Sequence, residues 1–147
     1  MKQLDAATEV VLRVMRGEAA FEEGLAAVVA YQRRFNGPLA AYWARRGFTA
    51  EQPRAEEVPA VMTDLFRSVR LTSGEAEPTA VFRTSGTTSG ARGEHWRLAT
   101  RAYDEGAALH FGAMVLSREQ RRRFVKWCFD PAEVPDSSLS HMVADLE

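Results

Sequence analysis

The sequence predicts a mixed α/β domain of the α+β kind, with a helical segment over residues 1–47 followed by strands and helices over 58–147. Three observations carry this. The first 47 residues hold three stretches with apolar side chains at helical spacing, each ended by glycine. After Pro59, short runs alternate apolar and polar residues, the period of half-buried strands. The 147 residues, 46% hydrophobic and 27% charged, are enough for one ordinary core.

The elements follow in order. Leu4, Ala7, Val10, Val11 and Val14 predict a first helix over 3–16, stopped at Gly17. Phe21, Leu25, Val28, Val29 and Phe35 predict a second over 18–35. Asn36-Gly37-Pro38 then offers a left-handed cap and a proline able to open a third helix, through Leu39, Tyr42 and Trp43 to Gly47. Residues 48–60 read as a solvated connection. The alternation in 65–71 and in 79–84 predicts two strands, with a turn at Ser73-Gly74-Glu75 between them. Residues 94–99 read as a returning strand. Thr100 is a suitable N-cap for a helix that ends near Leu116, with Asp104 and Glu105 opposing its dipole. The aromatic and β-branched run 122–129 reads as a further strand, 131–135 as a turn, and Ser137 or Ser138 as the cap of a last helix through Met142 and Leu146.

Composition narrows the function. The net charge is −1, so the basic excess that nucleic acid or an anionic membrane demands is absent. Of 19 basic residues two are lysine, Lys2 and Lys126, which leaves 17 arginines. Cys128 is the single cysteine, which excludes an intramolecular disulfide and a cysteine-built metal cluster and suits a reducing, cytoplasmic setting. The N-terminus lacks the apolar core of a signal peptide. No window reaches the ~18 apolar residues of a membrane span.

The chemistry is concentrated in Val81–Arg92. There a strand runs into a loop bearing the hydroxyls of Thr84, Ser85, Thr87, Thr88 and Ser89, with Gly86 and Gly90 between them and Arg92 after them. Glycine lets backbone N–H groups approach a phosphate, hydroxyls donate to its oxygens, and arginine pairs with it bidentately. The Gly-Lys-Ser/Thr ending of a Walker A loop is missing, and the glycine spacing is not the dinucleotide fingerprint. The bland alternative is a Ser/Gly-rich hairpin tip.

The run TSGTTSGAR (84–92) resembles the phosphate-binding loop of the adenylate-forming, acyl- and aryl-activating enzymes, whose usual form is Thr-Ser-Gly-Thr-Thr-Gly-x-Pro-Lys. Thr84, Ser85, Gly86, Thr87 and Thr88 match in place. Ser89, Ala91 and Arg92 stand where glycine, proline and lysine are usual. EVPAVMTDLFRSVRL (57–71), FDPAEVPDSSLSHMVADL (129–146) and the helical N-terminus resemble the LuxE-type acyl-protein synthetases within that superfamily. The resemblance implies a partial N-terminal domain of such an enzyme, which activates a fatty acid with ATP to an acyl-adenylate and passes the acyl group to an acceptor protein. By matched position, Thr84, Ser85, Gly86, Thr87, Thr88, Ser89, Gly90 and Arg92 hold ATP, and Thr87 or Thr88 contributes to Mg²⁺. The family's adenine, ribose and catalytic-lysine motifs do not occur in these 147 residues. The expectation is therefore a fragment that needs a missing C-terminal part or a partner chain and leaves an apolar surface bare. Two rival readings remain: a fragment resembling phenylacetate–coenzyme A ligase, and a non-catalytic nucleotide- or acyl-binding module.

Other residues carry weaker signals. His95 follows the loop and is a candidate for substrate contact, with Arg97 on the same face of its strand. His110 and His141 read as structural, Cys128 as a buried inert thiol, and Arg121-Arg122-Arg123 as a solvated edge. Glu22-Glu23 and Glu56-Glu57 read as solvated, and Trp43, Trp96 and Trp127 as core or interface.

Overall fold

Three helices lead the chain because three amphipathic stretches are separated by residues unable to continue a helix. The computed structural model describes residues 2–85, 92–115, 123 and 125–146, with α1 at Lys2–Met15, α2 at Phe21–Phe35 and α3 at Gly37–Arg45. Gly17 (φ +75°) and Gly47 (φ +71°) end α1 and α3 in the left-handed region, where glycine avoids the Cβ clash.

Asn36 departs from the expected left-handed cap. Its φ is −109°, and its Oδ1 accepts a 3.2 Å bond from the Leu39 N–H, which makes it the N-cap of α3. One residue separates the two helices and has to serve both. The N-cap role requires non-helical backbone at negative φ, so that role prevails.

α1 and α2 pack closely because Gly24 faces Val14, where a Cβ would lie 2.8 Å from Val14 Cγ2. α2, α3 and the chain after α3 bury Val29, Leu39, Trp43 and Phe48 together. The connection 48–60 is more than a solvated link. Trp43 Nε1 donates to the Pro59 carbonyl at 3.2 Å, Tyr42 Oη donates to that of Ala60 at 2.8 Å, and Val58 packs on the same core. The indole N–H of the buried Trp43 needs an acceptor, and this strap supplies it along with one for the more exposed Tyr42 hydroxyl.

The strand expected at 65–71 is instead a 3-10 turn at Thr63–Arg67. Its backbone is satisfied locally, Leu65 N–H to Met62 carbonyl at 3.0 Å and Ser68 N–H to Leu65 carbonyl at 3.1 Å. Alternation alone makes no strand when no neighbouring strand takes its hydrogen bonds.

The strands expected at 79–84 and 94–99 are present. β1 (Ala80–Arg83) and β2 (Glu94–Arg97) form an antiparallel hairpin with Ala80 opposite Arg97 and Arg83 opposite Glu94. α4 (Arg101–Met114) crosses α1, where Arg101 pairs with Glu9 and Arg16 with Glu105. The Thr100 side chain makes no cap bond, because its φ and ψ (−99°, −14°) are helical rather than extended; its carbonyl accepts from Tyr103 N–H at 2.7 Å. Leu116, the expected end of this helix, lies outside the described residues. α5 (Ser138–Asp145) is capped as expected, with Ser137 Oγ accepting from Ser140 N–H at 3.2 Å.

Val125–Phe129 is not a strand, and Trp127 is 99% exposed. Among the described residues no strand lies beside it, and it has no layer to bury its aromatic face. Arg122 and Phe124, which also belonged to the expected strand, lie outside the described residues. The fold is thus α+β, with five helices and one two-stranded sheet among the described residues. None of these helices is long and apolar enough to cross a membrane.

Candidate phosphate loop and adjoining cavity

The hairpin positions the loop. Beyond β1 and β2 the ladder continues for one more pair: Thr84 N–H donates to the Gly93 carbonyl at 3.0 Å, and Thr84 Oγ1 accepts from Gly93 N–H at 2.8 Å. Gly93 is buried, and a Cβ there would meet Thr84 Cγ2 at 3.4 Å. The two ends of the loop are therefore held side by side. Ser85 stands exposed just past this closing pair. Gly86, Thr87, Thr88, Ser89 and Gly90, and with them the Mg²⁺ expectation, lie outside the described residues.

Arg92 lies at the base of the loop, as expected. Its Nε donates to the Thr84 carbonyl at 2.7 Å and its Nη1 to Asp136 Oδ2 at 2.7 Å. Arg83 joins the group, with Nη1 at 3.6 Å from the same Asp136 oxygen and Nε at 2.9 Å from Glu94 Oε1. The hydrogen bond that Arg83 donates to Glu94, together with the charge of that carboxylate, raises the Arg83 pKa. Two guanidiniums thus meet two carboxylates. An exposed hydroxyl and two arginines at the mouth of a closed hairpin suit a polyphosphate. The two acids balance the charge that a phosphate would meet.

His95 is not at the loop mouth. Its ring stacks on Phe66 at 4.2 Å, and it lines a cavity of about 540 Å³ between the helices and β2. Leu4, Val11 and Val28 of α1 and α2 form one wall; Phe66, His95 and Arg97 stand in the other. Burial, reinforced by the Arg97 charge, pushes the His95 pKa below its ordinary value, so the imidazole is neutral at pH 7. Arg97 Nε is buried without a hydrogen-bond partner among the described residues, while its Cζ lies 5.9 Å from the Tyr103 ring centre. An apolar cavity with one unsatisfied cationic donor suits an apolar body bearing an anionic group.

The remaining candidates are structural or surface residues. His141 Nε2 bonds Asp104 Oδ1 at 2.8 Å and joins α5 to α4 beside Tyr103 and Phe82. His110 and Arg123 are exposed, whereas Arg121 and Arg122 lie outside the described residues. Cys128 is half-buried rather than buried, since the segment around it is not packed as a strand. Trp43 is core, Trp96 lies under Arg70 with its Cζ 4.0 Å from the ring centre, and Trp127 is exposed.

Sequence reasoning missed Asp136 and Arg83. The signal for Asp136 is its place in Pro135-Asp136-Ser137-Ser138, a stretch that by itself indicates helix capping. Arg83 was legible only as the residue before the loop. Comparison with family models, with curated proteins and with solved structures finds no match to this chain.

Proposed function

We propose that this chain is the N-terminal part of an adenylate-forming enzyme of the LuxE-type acyl-protein synthetase kind, which activates a fatty acid with ATP and Mg²⁺ for transfer to a protein acceptor. The closed hairpin carries the reading. It holds Thr84 and Gly93 side by side at the two ends of the hydroxyl–glycine run, with Ser85 exposed and Arg92 bonded to the Thr84 carbonyl. Backbone and hydroxyl donors backed by arginine are what a triphosphate requires, and donors aimed at its oxygens would stabilise the charge that develops as pyrophosphate leaves. ATP, when bound, supplies that leaving group. The cavity beside β2 supports the acid's place, its apolar body against α1 and α2 and its carboxylate toward Arg97.

The test is titration of Mg·ATP into the wild type and two variants. Arg92→Ala should lose one charge-assisted contact, a cost of ~1.5–3 kcal/mol or roughly 10- to 150-fold in affinity. Ser85→Ala should lose less, ~0.5–1.5 kcal/mol for a neutral hydrogen bond. Equal affinity in all three proteins would refute the loop assignment.

A further inference from the structure

Asp136 is the residue at the loop base that the reading above leaves unused. Its carboxylate accepts from Arg92 at 2.7 Å and faces Arg83 at 3.6 Å. Its side chain is 19% exposed, against 43% for Arg92 and 39% for Arg83. The acid therefore sits inside and the two guanidiniums outside, so an anion arriving from solvent meets the arginines first. Asp136 is also fixed from its own backbone. Its carbonyl accepts from the Arg83 N–H at 2.9 Å, which ties the turn ahead of α5 to the edge of β1. The next residue, Ser137, caps α5.

We infer that Asp136 is a resident anion that occupies Arg92, an arginine a polyphosphate would take, while Arg83 is held chiefly by Glu94, so that phosphate binding at the loop and docking of the α5 turn on β1 oppose each other. The inference rests on the phosphate reading of the loop. A polyphosphate can draw Arg92 away only by breaking its bond to a carboxylate, and breaking it weakens the clamp on the turn. Linkage then requires the converse: a tighter Asp136–Arg92 bond lowers phosphate affinity by the same factor. Asp136 is thus a positioning residue that sets the affinity of the loop. An acid that merely held the fold would give the opposite result, since weakening it would lower affinity.

The experiment uses the full chain and inorganic tripolyphosphate, titrated calorimetrically at low salt. Asp136→Asn keeps the shape and removes the charge. It should bind tripolyphosphate roughly three- to tenfold more tightly than wild type, because a charged bond is replaced by a neutral one about half as strong. Adding Arg92→Gln should abolish that gain. In the wild type, saturating tripolyphosphate should speed hydrogen exchange of the Arg83 amide several-fold; this readout decides the matter if Asp136→Asn fails to fold. Unchanged or weaker binding by a folded Asp136→Asn protein, or unchanged Arg83 exchange in the saturated wild type, would overturn the linkage. Binding that ignores Arg92→Gln in the wild type would instead refute the phosphate reading. Absence of binding by both wild type and Asp136→Asn would remove both.

Discussion

Trp43 and Trp127 show how far one residue type diverges with its surroundings. Trp43 is 3% exposed, meets Phe48 edge-on at 5.4 Å and spends its indole N–H on the Pro59 carbonyl. Its replacement by alanine should cost ~3–5 kcal/mol, the range for a large aromatic removed from a core. Urea unfolding curves would show this as a lowered midpoint at unchanged slope, while Trp127→Ala should shift stability by no more than ~0.5 kcal/mol. His95 gives the residue scale a pH dependence. Its folded pKa lies below its unfolded one, so the unfolded chain binds the extra proton first. The cost is absent above about pH 7, grows as pH falls through the unfolded pKa near ~6.5, and levels off below the folded pKa. His95→Gln should flatten the loss of melting temperature between pH 7.5 and pH 5.5; an unaltered slope would refute this account.

At the scale of elements, two helical glycines separate propensity from packing. Alanine is the better helix former by ~1 kcal/mol. At Gly24 the new Cβ would lie 2.8 Å from Val14 Cγ2, a branched side chain set in the α1–α2 contact. At Gly106 it would lie 3.1 Å from the sulfur of Met15, the far end of a flexible and half-exposed chain. Gly24→Ala should therefore destabilise by ~1–3 kcal/mol as overpacking does, and Gly106→Ala should be neutral or stabilising by up to ~1 kcal/mol. Thermal melts of the two variants decide it, and the same sign for both would defeat the argument.

For the whole molecule, apolar side chains are divided between two centres and an exposed segment. Val29, Leu39, Trp43 and Phe48 fill the helical core, and Phe82 lies buried beside Tyr103 and His141. Val125, Trp127 and Phe129 stay in solvent, each beyond the exposure of an ordinary strand face. Their transfer out of water is worth ~1.5–3 kcal/mol per large side chain, which favours association at high concentration. Light scattering should find concentration-dependent self-association that Trp127→Ser reduces without lowering stability. A monomer at millimolar concentration would contradict it.

Local chemistry by itself determined α1, α2, α3, α4 and the Ser137 cap. Each is settled by residues close in the chain: apolar spacing, glycine at φ near +70°, a hydroxyl two or three residues before an unsatisfied N–H. The loop was legible for the same reason, because its hydroxyls, glycines and arginine are contiguous. Only the tertiary structure decided which alternating runs became strands. A strand's hydrogen bonds lie on another chain segment; 65–71 meets β2 through side chains while its turn bonds its own backbone, and among the described residues no strand lies beside 125–129. Only it showed that the 48–60 strap completes the core, because the demand came from the Trp43 and Tyr42 donors. And only it brought Asp136, 44 residues along the chain, to Arg92. Charge balance at a site is a sum over space, and neither partner's local sequence records it.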